Sequence, residues 1–124
     1  MTSHYDLLSG QPLSEVHIAM IPAAEAWMVP CYLRIGGWNA CPTAEEHAAI
    51  FKYWGEKYGA KVACITDDVI EMIVTRPPTT KEDALELARE QYLYCADIVD
   101  QGTESIEALA AALLNARVWY FWWD

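Results

Sequence analysis

The feature that most constrains the fold is a capped amphipathic helix in the middle of the chain. Residues Thr43 to Glu46 form a capping box, in which the threonine oxygen accepts from the amide three residues on and Glu46 reaches back. Apolar residues then recur at three- and four-residue steps, and Gly59 follows as a left-handed cap. The pattern predicts a helix over residues 43–58 that buries one face, formed by His47, Ile50, Phe51, Trp54 and Tyr58.

Short apolar runs bounded by turn residues predict strands before and after this helix. Pro30 lies inside one of them, which indicates an edge strand or a bulge because proline donates no ladder hydrogen bond. The last run is apolar on both faces, which favours a central position in the sheet. The predicted strands are Val16–Ile21, a second extended stretch over 26–33, the hairpin pair Ala60–Ile65 and Val69–Thr75, and Arg117–Trp123.

Two more helices complete the predicted pattern. Either Thr79 with Glu82 or Thr80 with Asp83 opens one through about residue 98, and a regular apolar stripe predicts another over 106–114. The fold class is therefore α+β, with a single mixed sheet of about four to five strands and about three helices packed on it. The order is β-β-α-β-β-α-α-β. Residues 1–12 are predicted to be a flexible leader, and residues 13–124 a single domain.

Charge excludes several classes of function. Eighteen acidic residues against eight basic ones give a net charge of -10. Nucleic-acid binders and proteins that dock on anionic membranes need a basic face, whereas an acidic chain suits a basic partner. No apolar run approaches the roughly 18 residues of a membrane span, and no secretion signal is recognisable at the start. We therefore expect a cytoplasmic protein, with its four cysteines, none in C-x-x-C spacing, as free thiols.

A set of short motifs in this chain resembles a bacterial family called domain of unknown function 4253 (DUF4253). The resemblance implies a bacterial intracellular protein and brings with it no established activity or catalytic residue. The motifs are Gly36–Pro42, Tyr53–Trp54, Tyr58–Ala60, Asp68–Glu71, Arg76–Pro78, Leu87–Cys95, Asp97–Gly102 and Trp119–Asp124.

The loop from Gly36 to Pro42 is the first candidate site. Its glycines allow close approach of the backbone, and the loop feeds a helix N-terminus that favours anions and a thiolate at Cys41. His47 lies about one turn further on, so a Cys–His nucleophile pair is one reading. The other is a simple turn beside a core histidine, because His47 falls on the apolar face. The candidate binding residues are Gly36, Gly37, Trp38 and Asn39.

Two groups of acidic residues are further candidates. Glu71 interrupts an apolar strand, either as a general base or as a structural ion pair or exposed edge residue. The end of the second helix carries acids that oppose the helix dipole, which indicates ion pairing with Arg89 or Arg117 or an acidic recognition patch. This cluster is Glu90, Tyr94, Asp97, Asp100 and Gln101. No metal-ligand spacing and no cofactor motif is found.

Three classes of function fit these observations. The first is a non-catalytic acidic binding domain, such as an immunity protein that neutralises a basic toxin. The second is a small enzyme that uses the Gly36–Pro42 loop with Cys41, His47 and an acid. The third is a homo-oligomeric structural domain whose aromatic last strand pairs with its copy.

Overall fold

The structure is a computed structural model that describes residues 2–6 and 8–124. Its first helical elements are a 3-10 turn and a short helix, α1, with the long helices following later in the chain. The α-helices are α1 (Val29–Leu33), α2 (Ala44–Tyr58), α3 (Lys81–Tyr94) and α4 (Ile106–Leu113); the strands are β1 (Ala60–Ile65), β2 (Val69–Val74) and β3 (Val118–Trp122). A 3-10 turn (Ala26–Met28) precedes α1, and a π-helical turn (Ile98–Thr103) joins α3 to α4.

The three strands form an antiparallel sheet in the order β1-β2-β3. Residues opposite each other share a face, so Met72 and Trp119 lie on the inner face while Glu71 and Tyr120 lie on the outer face. A bulge between Val62 and Cys64 shifts the register of β1 against β2. The inner face packs against α2 and α3, and α4 packs against α3.

Aromatic rings fill the space between the sheet and the helices. Trp54 of α2 stacks on Phe121 at 5.6 Å between ring centroids, and it meets Trp119 edge to face at 5.5 Å. Tyr94 of α3 meets Phe121 edge to face at 5.0 Å. Since each such pair contributes about 0.5–1.5 kcal/mol beyond the area that it buries, this cluster fixes α2 and α3 against β3.

Glu90 fastens α3 to α2 through three hydrogen bonds. Its carboxylate accepts from Tyr53 Oη (2.9 Å), from the indole Nε1 of buried Trp54 (3.0 Å) and from Lys57 Nζ (3.3 Å). Lys57 also lies 3.7 Å from Glu86. Among the acidic residues of α3 that the structure describes, only Glu90 accepts a hydrogen bond from a buried indole.

The local predictions for the middle of the chain are confirmed. Thr43 caps α2 with both hydrogen bonds of the capping box, and Gly59 ends it at a φ of 63°. The β1–β2 hairpin is present, and α4 covers most of the third predicted helix. Of the two alternatives for α3, the Thr80 cap with Asp83 is formed, and the helix ends at Tyr94, earlier than predicted.

The predicted sheet is wrong: it has three strands rather than four to five, it is antiparallel rather than mixed, and the order β-β-α-β-β-α-α-β does not hold. Val16–Ile21 is irregular and largely exposed. The stretch 26–33 is helical because Pro30 lies in the first turn of α1, where a missing amide proton costs nothing. The last strand is an edge strand, and its second apolar face is half-buried on the outer side of the sheet.

We predict that Glu90→Ala lowers the free energy of unfolding by about 1–3 kcal/mol, because it leaves the buried Trp54 indole without an acceptor. Glu86→Ala, one turn away on the same helix, is the matched control and should change it by no more than about 0.5 kcal/mol. Urea denaturation of both variants measures the difference, and equal losses would contradict a special role for Glu90.

Candidate functional site

The antiparallel topology brings two of the predicted sites to one end of the molecule. This end contains the start of α2, the turn between β1 and β2, and the last residues of α3 and β3. Three hydrogen bonds tie these segments together. Trp123 N donates to Asp68 O (3.1 Å), Asn39 Nδ2 donates to Asp124 O (3.3 Å), and Asp124 N donates to Asp97 Oδ2 (3.0 Å). The glycine loop and the acids after α3 are therefore parts of one surface.

The glycine loop closes tightly over the start of α2. Gly37 N donates to Pro42 O (2.9 Å), and Cys41 N donates to Trp38 O (2.9 Å). Gly36 has a φ of 86°, and a Cβ there would lie 2.7 Å from His47 Nε2. Only glycine combines that backbone angle with this close approach, so a side chain at position 36 would displace His47 or the loop.

Cys41, His47 and Tyr94 form a chain of contacts beneath this loop. Cys41 Sγ lies 3.5 Å from His47 Nε2, and His47 Nδ1 lies 2.8 Å from Tyr94 Oη. His47 has no exposed surface, and Cys41 retains 9% of its own. The structure therefore brings together the predicted Cys–His pair and adds a tyrosine as the third member.

Burial makes this chain electrically neutral at physiological pH. Burial lowers the pKa of His47 to about 4, against a smaller opposing effect of the Glu46 charge. It raises the pKa of Cys41 to about 11, with the Gly37 amide acting weakly in the other direction, and raises that of Tyr94 well above its usual value. The thiolate predicted from the helix N-terminus is thus wrong, because removal of the thiol from water outweighs the helix dipole.

The space beside this chain is small. A cavity of about 10 Å³ lies next to Cys41 and His47, lined also by Gly36, Asp67 and Asp68. That is the volume that one water molecule requires. A substrate could reach the thiol only if the glycine loop or the β1–β2 turn moved.

Glu71 is buried on the outer face of the sheet, opposite Tyr120 of β3. Its carboxylate accepts from Thr2 N (2.7 Å), Thr2 Oγ1 (3.2 Å) and Ser3 N (3.2 Å). Burial opposes ionisation, but the hydrogen bonds from Ser3 and Thr2 outweigh it and hold the pKa below its usual range. Glu71 forms no ion pair with any described residue, and β2 is the central strand of the sheet, so Glu71 is neither part of a structural ion pair nor an exposed edge residue.

The predicted acidic cluster divides in two. Glu90 joins α3 to α2 and Tyr94 lies in the core, so neither belongs to an open surface. Asp97 accepts from Gln101 Nε2 (3.2 Å) and from Asp124 N, and it stays at the surface with Asp100. The hairpin turn and the residues after β3 contribute further acids. We call the five carboxylates at this end the acidic end: Asp67, Asp68, Asp97, Asp100 and Asp124.

No base neutralises the acidic end within the described residues. The ion pairs in that part of the chain are His17 with Glu15 and Lys57 with Glu86 and Glu90, so none involves these five carboxylates. Asp67 and Asp68 lie outside the acidic cluster predicted from the sequence, because they belong to the turn between β1 and β2 and not to the helix end. The hairpin prediction combined with an antiparallel β3 would have placed them here. Residues 2–6 and 8–124 hold no group of three metal-ligating side chains and no helix that could cross a membrane.

We predict that buried His47 makes the folded protein lose stability as the pH falls below 6.5, a higher pH than that at which most carboxylates begin to titrate. Its pKa is lowered from 6.5 in the unfolded chain to about 4 in the folded one, so stability is complete above pH 6.5 and falls towards pH 4. The expected loss between pH 7 and pH 5 is about 2 kcal/mol. Urea titrations should show this slope reduced in His47→Gln and kept in the exposed control His17→Gln; identical slopes in both would contradict the assignment.

We predict that Cys41 reacts slowly with iodoacetamide. At pH 8 a thiol of pKa about 11 is only about 0.1% thiolate, and the loop covers it. The exposed Cys31 is an internal reference in the same chain. Mass spectrometry of peptides after timed alkylation should show Cys41 modified at least about tenfold more slowly than Cys31. Faster modification of Cys41 would reveal an accessible, activated thiol.

Comparison with known proteins identifies the family. The family described as "Domain of unknown function (DUF4253)" matches residues 17–124, which include both glycines of the loop, the Cys41–His47–Tyr94 chain and the acidic end. No curated protein and no solved structure matches the chain. By this match over most of its length, the chain belongs to the DUF4253 family.

Proposed function

We propose that this protein is a non-catalytic binding domain whose acidic end engages a basic protein partner. The observation that carries the proposal is the grouping of five carboxylates from three separate segments at one end, with no lysine or arginine of the described residues within 4 Å of them. Like charges held together this way repel each other and oppose folding. A positively charged surface that covers them relieves that repulsion.

The field of the whole protein supports the same proposal. A net charge of -10 on 124 residues attracts a basic protein from beyond contact distance and accelerates association at low salt. Fifteen of the 18 acidic side chains are exposed. An immunity protein that blocks a basic toxin in the bacterial cytoplasm is the specific form of this function that we propose.

One observation favours the enzyme alternative, namely the 3.5 Å contact of Cys41 with His47. Burial works against it, because the thiol and the imidazole are both neutral and the adjoining cavity admits little more than a water molecule. Catalysis would need a rearranged loop. Rapid alkylation of Cys41 in the native protein would favour the enzyme alternative, and slow alkylation would count against it.

Binding of a basic probe to the acidic end tests the proposal. We expect nona-arginine to bind in isothermal titration calorimetry at 20 mM salt and to lose affinity steeply at 200 mM, because the attraction is screened. The triple variant Asp67→Asn, Asp97→Asn, Asp100→Asn should bind about tenfold more weakly, since three carboxylates of the binding surface are neutralised.

The matched control removes the same number of charges from the opposite end of the molecule. Glu25→Gln, Glu56→Gln, Glu82→Gln neutralises exposed acids near the end of α2 and the start of α3. Its affinity should fall by less than about twofold. Equal losses of nona-arginine affinity in the two triple variants would show that net charge alone attracts the probe, and would contradict a site at the acidic end. An affinity that does not change with salt would also contradict the proposal.

A further inference from the structure

An aromatic cavity lies on the outer face of the sheet beside the acidic end. Tyr120 and Trp122 of β3 are two residues apart and therefore point to the same side, with ring centroids 5.8 Å apart and planes at 48°. Together with Thr2, Asp68 and Val69 they line a cavity of about 400 Å³. Both rings are only half-buried, so part of each ring surface remains in contact with solvent.

Two carboxylates, those of Asp68 and Glu71, lie near Tyr120. Asp68 lines the cavity, and its Oδ1 accepts from Thr66 Oγ1 (3.0 Å), which fixes the orientation of the carboxylate. Glu71 pairs with Tyr120 across the sheet, and its hydrogen bonds with Thr2 and Ser3 keep it ionised. Burial raises the pKa of Tyr120, and the negative charges of Glu71 and Asp68 raise it further, so both charges act at this ring.

The chain supplies no cation to this cavity from its described residues. Lysine side chains do lie over rings elsewhere, Lys52 over Trp27 and Lys57 over Tyr53 and Tyr58. None lies over Tyr120 or Trp122. Two half-exposed rings beside a carboxylate are the combination that recognises an organic cation, because the ring faces and the carboxylate attract the same positive charge.

We infer that this cavity receives an arginine side chain of the basic partner, with the guanidinium plane against Tyr120 or Trp122 and its N–H groups directed at Asp68. The inference rests on the proposed function and adds a specific contact to it. Arginine fits better than lysine, because a planar guanidinium can stack on a ring and donate two parallel hydrogen bonds to a carboxylate at once. The cavity thus sets which basic side chain is preferred at the edge of the acidic end.

Calorimetric titration with nona-arginine and nona-lysine at 50 mM salt tests this preference. The full chain should bind nona-arginine at least about fivefold more tightly than nona-lysine. Tyr120→Leu and Asp68→Asn should each reduce that ratio towards one, with most of the loss in nona-arginine affinity. Tyr32→Leu, which removes an exposed tyrosine on α1, is the control and should leave the ratio unchanged.

A second measurement protects the test from a folding defect in the variants. In the unaltered protein, the indole N–H resonance of Trp122, assigned with Trp122→Phe, should shift on addition of N-acetyl-arginine methylamide more than on addition of the lysine analogue. A ratio near one in the unaltered protein, or a ratio that Tyr120→Leu leaves intact, overturns the arginine site. If the arginine site is overturned but the acidic-end triple variant still loses nona-arginine affinity, the proposed function of the acidic end stands without the arginine site.

Discussion

The packing of aromatic rings between the sheet and two helices is the interaction on which the rest of this structure depends. Trp54 stacks on Phe121 and Tyr94 meets the same ring edge to face, so α2, α3 and β3 share one contact centre. Because α2 starts where α3 and β3 finish, this packing also decides which chain segments meet at the end of the molecule. The acidic end is a consequence of that arrangement, assembled from residues that are far apart in the sequence.

Burial determines the chemistry of the Cys41–His47 pair that the fold brings together. The proximity of Cys41 and His47 could be predicted, since they flank the first turn of a helix with a clear cap. Their neutrality could not, because it depends on the ring of Trp123 and on the tight approach of Gly36, both set by tertiary packing. Tyr94 was assigned to an open acidic cluster because α3 was predicted to continue past it.

The elements that the sequence predicts correctly are those fixed by neighbours along the chain. The helix over residues 43–58 follows from its capping box and glycine cap, which are local interactions. Val16–Ile21 has the composition of a strand, but no strand of the described residues pairs with it, and pairing is not a local property of the sequence. Pro30 fits the first turn of a helix as well as an edge strand, so the sequence pattern alone could not distinguish helix from strand over residues 26–33. The Glu71 partner, Thr2, is 69 residues away, beyond any spacing rule.

The aromatic core holds in place the chain segments that bear the five carboxylates of the acidic end, and the fold therefore tolerates their mutual repulsion. In the function that we propose, a positively charged partner surface binds these carboxylates. Mapping amide chemical shifts during a nona-arginine titration tests this most directly. We expect the largest shifts to cluster at the loop 36–42, the turn 66–68 and residues 97–101 and 120–124. Shifts spread in proportion to exposed carboxylates, or concentrated around residues 25, 56 and 82, would contradict it.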